Sequence, residues 1–302
     1  MRIGLDIGGT KTDAVVLDAA GGVLERVRVR TGTGPAEVLD SAERAVREVI
    51  ALCGTQTDDY ASIGVGIPGV VDRETGRVHH AVNLGVDDLG LGERLRERVG
   101  VPVQVENDVK AAALGAYHLL RLHGSAAFLN LGTGLAAGIV ADGRLWRGAR
   151  GGAGEIGHIP LDPRGALCSC GQHGCLETIA SGSAVARLWP SKAALPAIEL
   201  FDAADAGDRR AQDVRHALAA GVASAVRILV LTVDVETVVV GGGLSNLGER
   251  LLAPVTEVLQ GWGRDSPFLA SLRLPERVRM LAPDLSAAAV GAALVGAAEA
   301  VA

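Results

Sequence analysis

The chain opens on a short strand, a glycine-threonine turn and a second strand, and the same unit starts again at residue 126. Ile3, Leu5 and Ile7 alternate with other residues, Gly8-Gly9-Thr10 turns, and residues 11–17 return as a strand. Later, residues 126–131 read as a strand, Gly132-Thr133-Gly134 turns, and residues 135–141 return. Apolar runs with period two on either side of a glycine turn mark β-hairpins. Two such hairpins, each followed by helical and strand patterns, predict an α/β chain of two domains.

The rest of the pattern fits that division. Residues 23–30 extend the first hairpin to a third strand. Val38, Leu39, Ala42, Ala45, Val46, Val49 and Ile50 carry the 3.6-residue period of a helix over residues 35–52. A buried strand over 63–67 stops at Pro68-Gly69; a helix over 91–99, a strand over 101–105 and a helix over 109–122 follow. In the second half, residues 184–231 are mostly helical with breaks near Pro190 and Pro196, and a strand over 237–240 runs into Gly241-Gly242-Gly243. The expected division is an N-terminal α/β domain over 1–108 and a C-terminal α/β domain over 109–285, with a cleft between them. A small-residue helix within 286–302 is expected to pack back on the first domain.

The chain has 302 residues, 48% of them hydrophobic, enough for two cores. Glycine numbers 41 while aromatics make up 3%, which favours tight turns and close backbone approach. The formal net charge is −6 with no basic block, so nucleic acid is not the expected partner. Residues 1–6 run straight into a strand, with Asp6 where a secretory leader would stay apolar. The longest apolar stretch, 217–233, is interrupted by Ser224, Arg227 and Thr232. No membrane partner and a cytoplasmic location are the expectations.

Three motifs carry chemistry. The first is the set of glycine turns. Gly8 and Gly9 let backbone N–H groups approach phosphate oxygens, Thr10 adds a hydroxyl, Lys11 adds a charge, and Asp6 would face a Mg²⁺ ion. Gly132, Thr133 and Gly134 repeat the design, and Gly241, Gly242 and Gly243 follow a strand and precede a helical pattern, which suits a nucleotide contact. Each alone is an ordinary turn; three in series point to nucleotide binding. No G-x-G-x-x-G fingerprint follows the first strand, which argues against a dinucleotide.

The second motif is Glu106-Asn107-Asp108, at a strand end and a helix start. Asp108 is the candidate general base for an attacking hydroxyl. The plain alternative is that Asn107 or Asp108 caps the helix.

The third motif is Glu155-Ile156-Gly157-His158, then Cys168-Ser169-Cys170 and Cys175-Leu176-Glu177. One imidazole and three thiolates make a closed tetrahedral set, the structural type for Zn²⁺, so His158, Cys168, Cys170 and Cys175 are the candidate ligands. A closed set leaves no open position for catalysis, so the metal orients its neighbours. Glu155 and Glu177 flank the ligands and are candidates for holding sugar hydroxyls, with solvated surface carboxylates as the alternative. Asn83 is a further candidate for a substrate hydroxyl. Trp146, followed by Arg147, Gly148 and Arg150, is a candidate for the edge of the cleft, with ordinary packing as the commoner alternative.

Together, the Asp6–Lys11 turn, Gly66-Ile67-Pro68-Gly69, Glu106-Asn107-Asp108, the 132–134 turn and Glu155-x-x-His158 with its cysteines resemble the ROK family of sugar kinases and sugar-responsive repressors. The likeness covers nearly the whole chain. It implies a two-domain actin/hexokinase-like (ribonuclease H-like) ATPase fold, use of ATP and Mg²⁺, a structural zinc and a homodimer, with a tetramer as the alternative. It also implies that Asp108 is the catalytic base, and that Asn107, Glu155, His158 and Glu177 meet the sugar. Gly9, Thr10, Thr133 and residues 241–243 meet the nucleotide. The chain departs from the family pattern at Val109-Lys110, at Ala116 and at Asn83-Leu84-Gly85-Val86-Asp87. The resemblance implies phosphorylation of a hexose, glucose first, at the 6-hydroxyl. An N-acetylated amino sugar, mannose or a cyclitol stands as the alternative substrate, and polyphosphate as the alternative donor. A sugar-sensing regulator is the alternative of another class. Family repressors carry a DNA-binding segment before the first phosphate motif, and here only five residues precede Asp6.

Overall fold

The computed structural model describes residues 1–193 and 195–296. The chain begins with β1 (Arg2–Ile7), β2 (Lys11–Leu17), β3 (Val23–Arg30) and helix α1 (Pro35–Cys53). Then come β4 (Ser62–Ile67), β5 (Val70–Asp72), β6 (Arg77–Ala81), β7 (Val86–Gly90), α2 (Leu91–Val99), β8 (Val103–Asn107) and α3 (Asp108–Leu119). The second hairpin is β9 (Ser125–Leu131) and β10 (Leu135–Ala141), extended by β11 (Arg144–Trp146). A long loop leads to α4 (Gly182–Leu188), α5 (Pro196–Asp205), α6 (Arg209–Val233) and β12 (Thr237–Gly241). The described part ends with α7 (Glu249–Asp265), α8 (Pro267–Ser271), β13 (Val278–Met280) and α9 (Ala287–Val295).

Among the described residues the strands form two five-stranded sheets and one three-stranded sheet. The large sheets run β3-β2-β1-β4-β8 and β11-β10-β9-β12-β13. The order is the same in both: an antiparallel three-strand meander whose first strand pairs in parallel with a later strand, and that strand with a fifth. The duplication seen in the two hairpins therefore extends to whole sheets.

The chain divides into two compact units. The first holds residues 1–123, 138–151 and the described residues from 284 onward; the second holds 124–137 and 152–283. Helix α3 thus belongs to the first unit, where the sequence places the start of the second domain, and the chain passes between units within β10. In the first unit, the apolar stripe of α1 (Val38, Leu39, Ala42, Ala45, Val46, Val49) is buried with Ile3, Leu5 and Ile7 of β1 and Ile63, Val65 and Ile67 of β4. Helix α9 also lies in this unit, in contact with β1, β4 and α3. It can do so because a Cβ on Gly64 would fall 1.7 Å from the Ala292 carbonyl oxygen, and one on Gly115 would fall 1.8 Å from that of Ala287. Residues 297–302 of the expected terminal helix lie outside the described residues.

In the second unit, α6 runs for 25 residues and includes an 18-residue window apolar enough to cross a membrane by length and composition. The polar interruptions read in the sequence, Ser224, Arg227 and Thr232, all lie within this helix. Just over half of that window (56%) is buried, and α5 and α7 pack on the helix, as on the core helix of a folded domain. Ser224 satisfies its hydroxyl on the Ala220 carbonyl one turn back.

Candidate active site

In the first unit the candidate residues gather at the carboxyl ends of neighbouring parallel strands, the edge where open α/β sheets bind ligands. Asp6 of β1 is in register with Gly66 of β4, and Gly66 with Glu106 of β8. Gly66 has a local reason: a Cβ there would come within 3.2 Å of the Ala111 methyl and 3.6 Å of the Asp108 Cα, so its absence seats the first turn of α3 against the sheet.

Asn107 is the N-cap of α3: its side-chain oxygen accepts the N–H groups of Val109 at 3.1 Å and Lys110 at 3.2 Å. Its amide nitrogen donates to the Gly69 carbonyl at 3.3 Å. Asp108 occupies the first helical position, half-buried, with one carboxylate oxygen accepting the Val109 N–H at 2.9 Å. Capping therefore falls to Asn107. Lys110 is buried in the same turn.

The Gly8–Lys11 turn connects β1 to β2, and the Gly8 N–H donates to the Lys11 carbonyl at 2.9 Å. Gly9, Thr10 and Lys11 are exposed, and a Cβ on Gly9 would lie 3.2 Å from the Asn83 carbonyl oxygen, which puts Asn83 beside this turn. Asp6 is pushed up from 3.8 to about 7. Burial is the main cause, followed by the negative charges of Asp108 and Asp13; Lys11 and Arg28 oppose them. Arg28 pairs with Asp13, so the mutual repulsion of Asp6 and Asp108 is what a hard divalent cation, which takes oxygen ligands, would relieve.

In the second unit two glycine turns meet. Gly241 of β12 is in register with Asn130 of β9, so the 241–243 turn and the 132–134 turn leave the same edge of the sheet. Gly242 has φ +86°, and a Cβ on it would lie 2.6 Å from the Asn130 side-chain oxygen and the Leu131 carbonyl carbon. The expected helix start after this turn is a 3-10 turn, Gly243–Leu247, and α7 begins only at Glu249. The 132–134 turn is held from its other side, where the Gly132 carbonyl accepts the Gly182 N–H at 2.8 Å and the Thr133 carbonyl the Ser183 N–H at 3.1 Å.

The metal candidates converge. One ligand atom from each of His158, Cys168, Cys170 and Cys175 lies within 4.8 Å of every other. The Cys170 and Cys175 sulfurs are 3.6 Å apart, and the Cys168 sulfur is 3.7 Å from His158 Nδ1. Metal–sulfur bonds of about 2.3 Å at tetrahedral angles span such a separation, so the four residues fit a zinc ion. Local structure brings them together: Pro160 bridges Cys175 in a short antiparallel contact, and Leu176 donates to the Ile159 carbonyl at 3.0 Å. Gly174, at φ +69°, makes the turn before Cys175, where a Cβ would collide with the Asp162 carbonyl at 1.5 Å. Burial pushes the Cys175 thiol up to about 12, while the Gln172 N–H groups pull the exposed Cys170 down to about 6.

The flanking carboxylates differ. Glu155 is exposed. Glu177 is half-buried, and its carboxylate accepts the Leu135 N–H at 3.0 Å, just past the 132–134 turn. The sequence did not single out the partners of Glu106: its buried carboxylate accepts Arg147 Nε at 2.7 Å, with Arg73 Nε 3.5 Å away. In the sequence Arg147 stands out only for following Trp146, and nothing in local spacing pairs it with a residue 41 positions earlier.

A sequence profile of the ROK family matches residues 2–298. Glucokinase of Halalkalibacterium halodurans is 34% identical over 283 residues, covering 86% of this chain and 85% of the relative. Among solved structures, a ROK hexokinase from Thermus thermophilus is 33% identical with a TM-score of 0.81, over 99% of this chain and 98% of that one. A ROK family glucokinase from Streptomyces griseus, solved in complex with glucose and AMPPNP, is 33% identical with a TM-score of 0.79, over 98% of this chain and 99% of that one. The architecture is accordingly the two-domain actin/hexokinase-like α/β fold, and the likeness runs from the first glycine turn to α9: the chain belongs to the ROK family.

Proposed function

We propose that this chain is an ATP-dependent kinase that phosphorylates a hexose hydroxyl, with glucose as the favoured sugar and its 6-hydroxyl as the acceptor. The observation that carries the reading is the placement of the Gly8–Lys11 turn and the Asn107–Asp108 pair at the carboxyl ends of β1 and β8, the parallel strands on either side of β4. Relatives that are glucokinases share this frame over most of their length.

Phosphoryl transfer asks little covalent chemistry of a protein; positioning and charge stabilisation do most of the work. In this reading the Asp108 carboxylate accepts the proton of the attacking hydroxyl, and its place at the start of α3 holds it still. Asn107, Asn83, Glu155, His158 and Glu177 orient the sugar through its other hydroxyls. Gly8, Gly9, Thr10 and Lys11, with Gly132–Gly134 and Gly241–Gly243, supply backbone N–H groups, hydroxyls and one ammonium to the phosphates and the nucleoside. Mg²⁺, when bound, neutralises phosphate charge, and Asp6 is the carboxylate that would face it. A zinc ion held by His158, Cys168, Cys170 and Cys175 would be structural, fixing the segment that carries Glu155 and Glu177. The domain division at 108 and the cytoplasmic location rest on the sequence pattern, and the homodimer on the family resemblance.

The test is a sugar-phosphate assay over glucose, mannose, N-acetylmannosamine and inositol, each with ATP and with polyphosphate. Glucose with ATP should give the highest kcat/KM. A higher kcat/KM for another substrate reassigns the sugar. Sugar binding without turnover on any of them would make the chain a sugar-sensing regulator.

A further inference from the structure

Glu106 is 3% exposed, and its two carboxylate oxygens are divided between two tasks. One oxygen accepts Arg147 Nε at 2.7 Å and lies 3.5 Å from Arg73 Nε. The other accepts the backbone N–H of Asn107 at 3.0 Å. Arg73 stands in the turn between β5 and β6, and Arg147 follows β11, so one carboxylate ties three separate segments at the residue just before Asn107 and Asp108. A carboxylate this deeply buried needs cations and donors close by. The guanidinium that supplies the charge also fixes the oxygen pair that holds the Asn107 peptide, where β8 turns into α3.

We propose that Arg147 and Glu106 are positioning residues for phosphoryl transfer: the Arg147 guanidinium holds the Glu106 carboxylate, and that carboxylate sets the strand-to-helix junction that aims Asp108. The proposal rests on the reading of Asp108 as the base. Neither residue needs to touch a substrate. Their effect belongs in kcat, because misplacing a reacting group by about 1 Å costs up to ~10²-fold in rate.

The experiment is a kinetic double-mutant cycle on the full chain, with Arg147→Met, Asp108→Asn and the combination, and with Arg147→Lys as the conservative variant. Arg147→Met should lower kcat about ten-fold or more, with the KM for ATP and for sugar held within about two-fold. Arg147→Lys should recover part of the loss, since it keeps the charge but not the planar fork. In the Asp108→Asn background, Arg147→Met should change the residual kcat by less than about two-fold, because the group it aims is gone. An equal loss in both backgrounds assigns Arg147 to the fold at large and overturns the proposal, as does an Arg147→Met enzyme with parental kcat. Should Arg147→Met not fold, Glu106→Gln, which keeps the size and an acceptor for the Asn107 N–H, takes its place in the same cycle. Parental turnover in Asp108→Asn alone would sink the base reading and the proposal with it, and is told apart from the other outcomes by that single variant.

Discussion

Glu177 accepts the backbone N–H of Leu135 at 3.0 Å, and so fastens the segment that follows Cys175 to the residue that follows the 132–134 turn. The fit is close, for a Cβ on Gly134 would come within 2.4 Å of the same carboxylate oxygen. A candidate sugar contact and a candidate phosphate turn are therefore held by one hydrogen bond within one unit. Gly134→Ala forces the carboxylate off this position, whereas Glu177→Gln keeps its shape and removes its charge. With Glu177 on the sugar, both variants should raise the sugar KM, by roughly 5–150-fold for a polar contact worth about 1–3 kcal/mol. Initial rates against sugar concentration measure this, and an unchanged KM in Glu177→Gln leaves the residue a structural tie alone.

The second expectation concerns the metal. Cys175 is fully buried and Cys168 nearly so, which makes their thiols poor candidates for a solvent-facing role and good ones for a closed site. Purified protein should contain about one zinc per chain. Cys175→Ser should lose most of it and melt lower by about 5–10 °C, since each kcal/mol lost is worth roughly 2–4 °C in a domain of 150–250 residues. Metal-free parent protein with unchanged melting and turnover would count decisively against the site.

Asp6 gives the fold a pH dependence whose sign can be stated. Its folded value of about 7 stands above the ordinary 3.8, with burial first among the causes. Between the two values the folded chain keeps a proton that the unfolded chain has released, so this carboxyl favours folding at low pH and its contribution is lost as pH rises toward about 7. Asp6→Asn removes the titration. The melting temperature of the variant should therefore fall less than that of the parent between about pH 4 and about pH 7. Parallel melting curves for the two proteins across that range would show that Asp6 is not held protonated.

The elements easiest to read in the sequence were those whose causes are local. The hairpin turns at 8–10 and 132–134 announce themselves through glycine between alternating strands, and the α1 stripe through its period. The candidate metal ligands fall within 18 consecutive residues, and their convergence needs only the turns that Gly171 and Gly174 allow at positive φ. The small sheet of β5, β6 and β7 left no such trace. Its strands are three to five residues long, too short for a pattern to accumulate, although Val78, Ala81, Val86 and Leu89 are buried. The Glu106–Arg147 pair was hidden for another reason: it is set by how β8 and β11 are brought together in the first unit, and no spacing rule links the two positions. The choice of cap was also beyond local sequence, since Asn and Asp are equally good caps and only backbone geometry selects Asn107.

That geometry sharpens the test of the base. Because the Asn107 side chain serves the Val109 and Lys110 N–H groups, Asp108→Asn leaves the cap of α3 in place. The backbone hydrogen bond that Asp108 accepts from Val109 at 2.9 Å is equally open to the oxygen of an asparagine side chain. Melting temperature and sugar affinity should therefore stay near those of the parent. Only basicity is lost, and loss of a general base lowers turnover by about 10²–10⁴-fold. Turnover measured at saturating ATP and sugar, alongside thermal melting, separates the two roles on one variant. A fall of that size in a protein with parental melting assigns the hydroxyl proton to Asp108, whereas turnover within a few-fold of the parent would leave Asp108 as the first residue of α3 and nothing more.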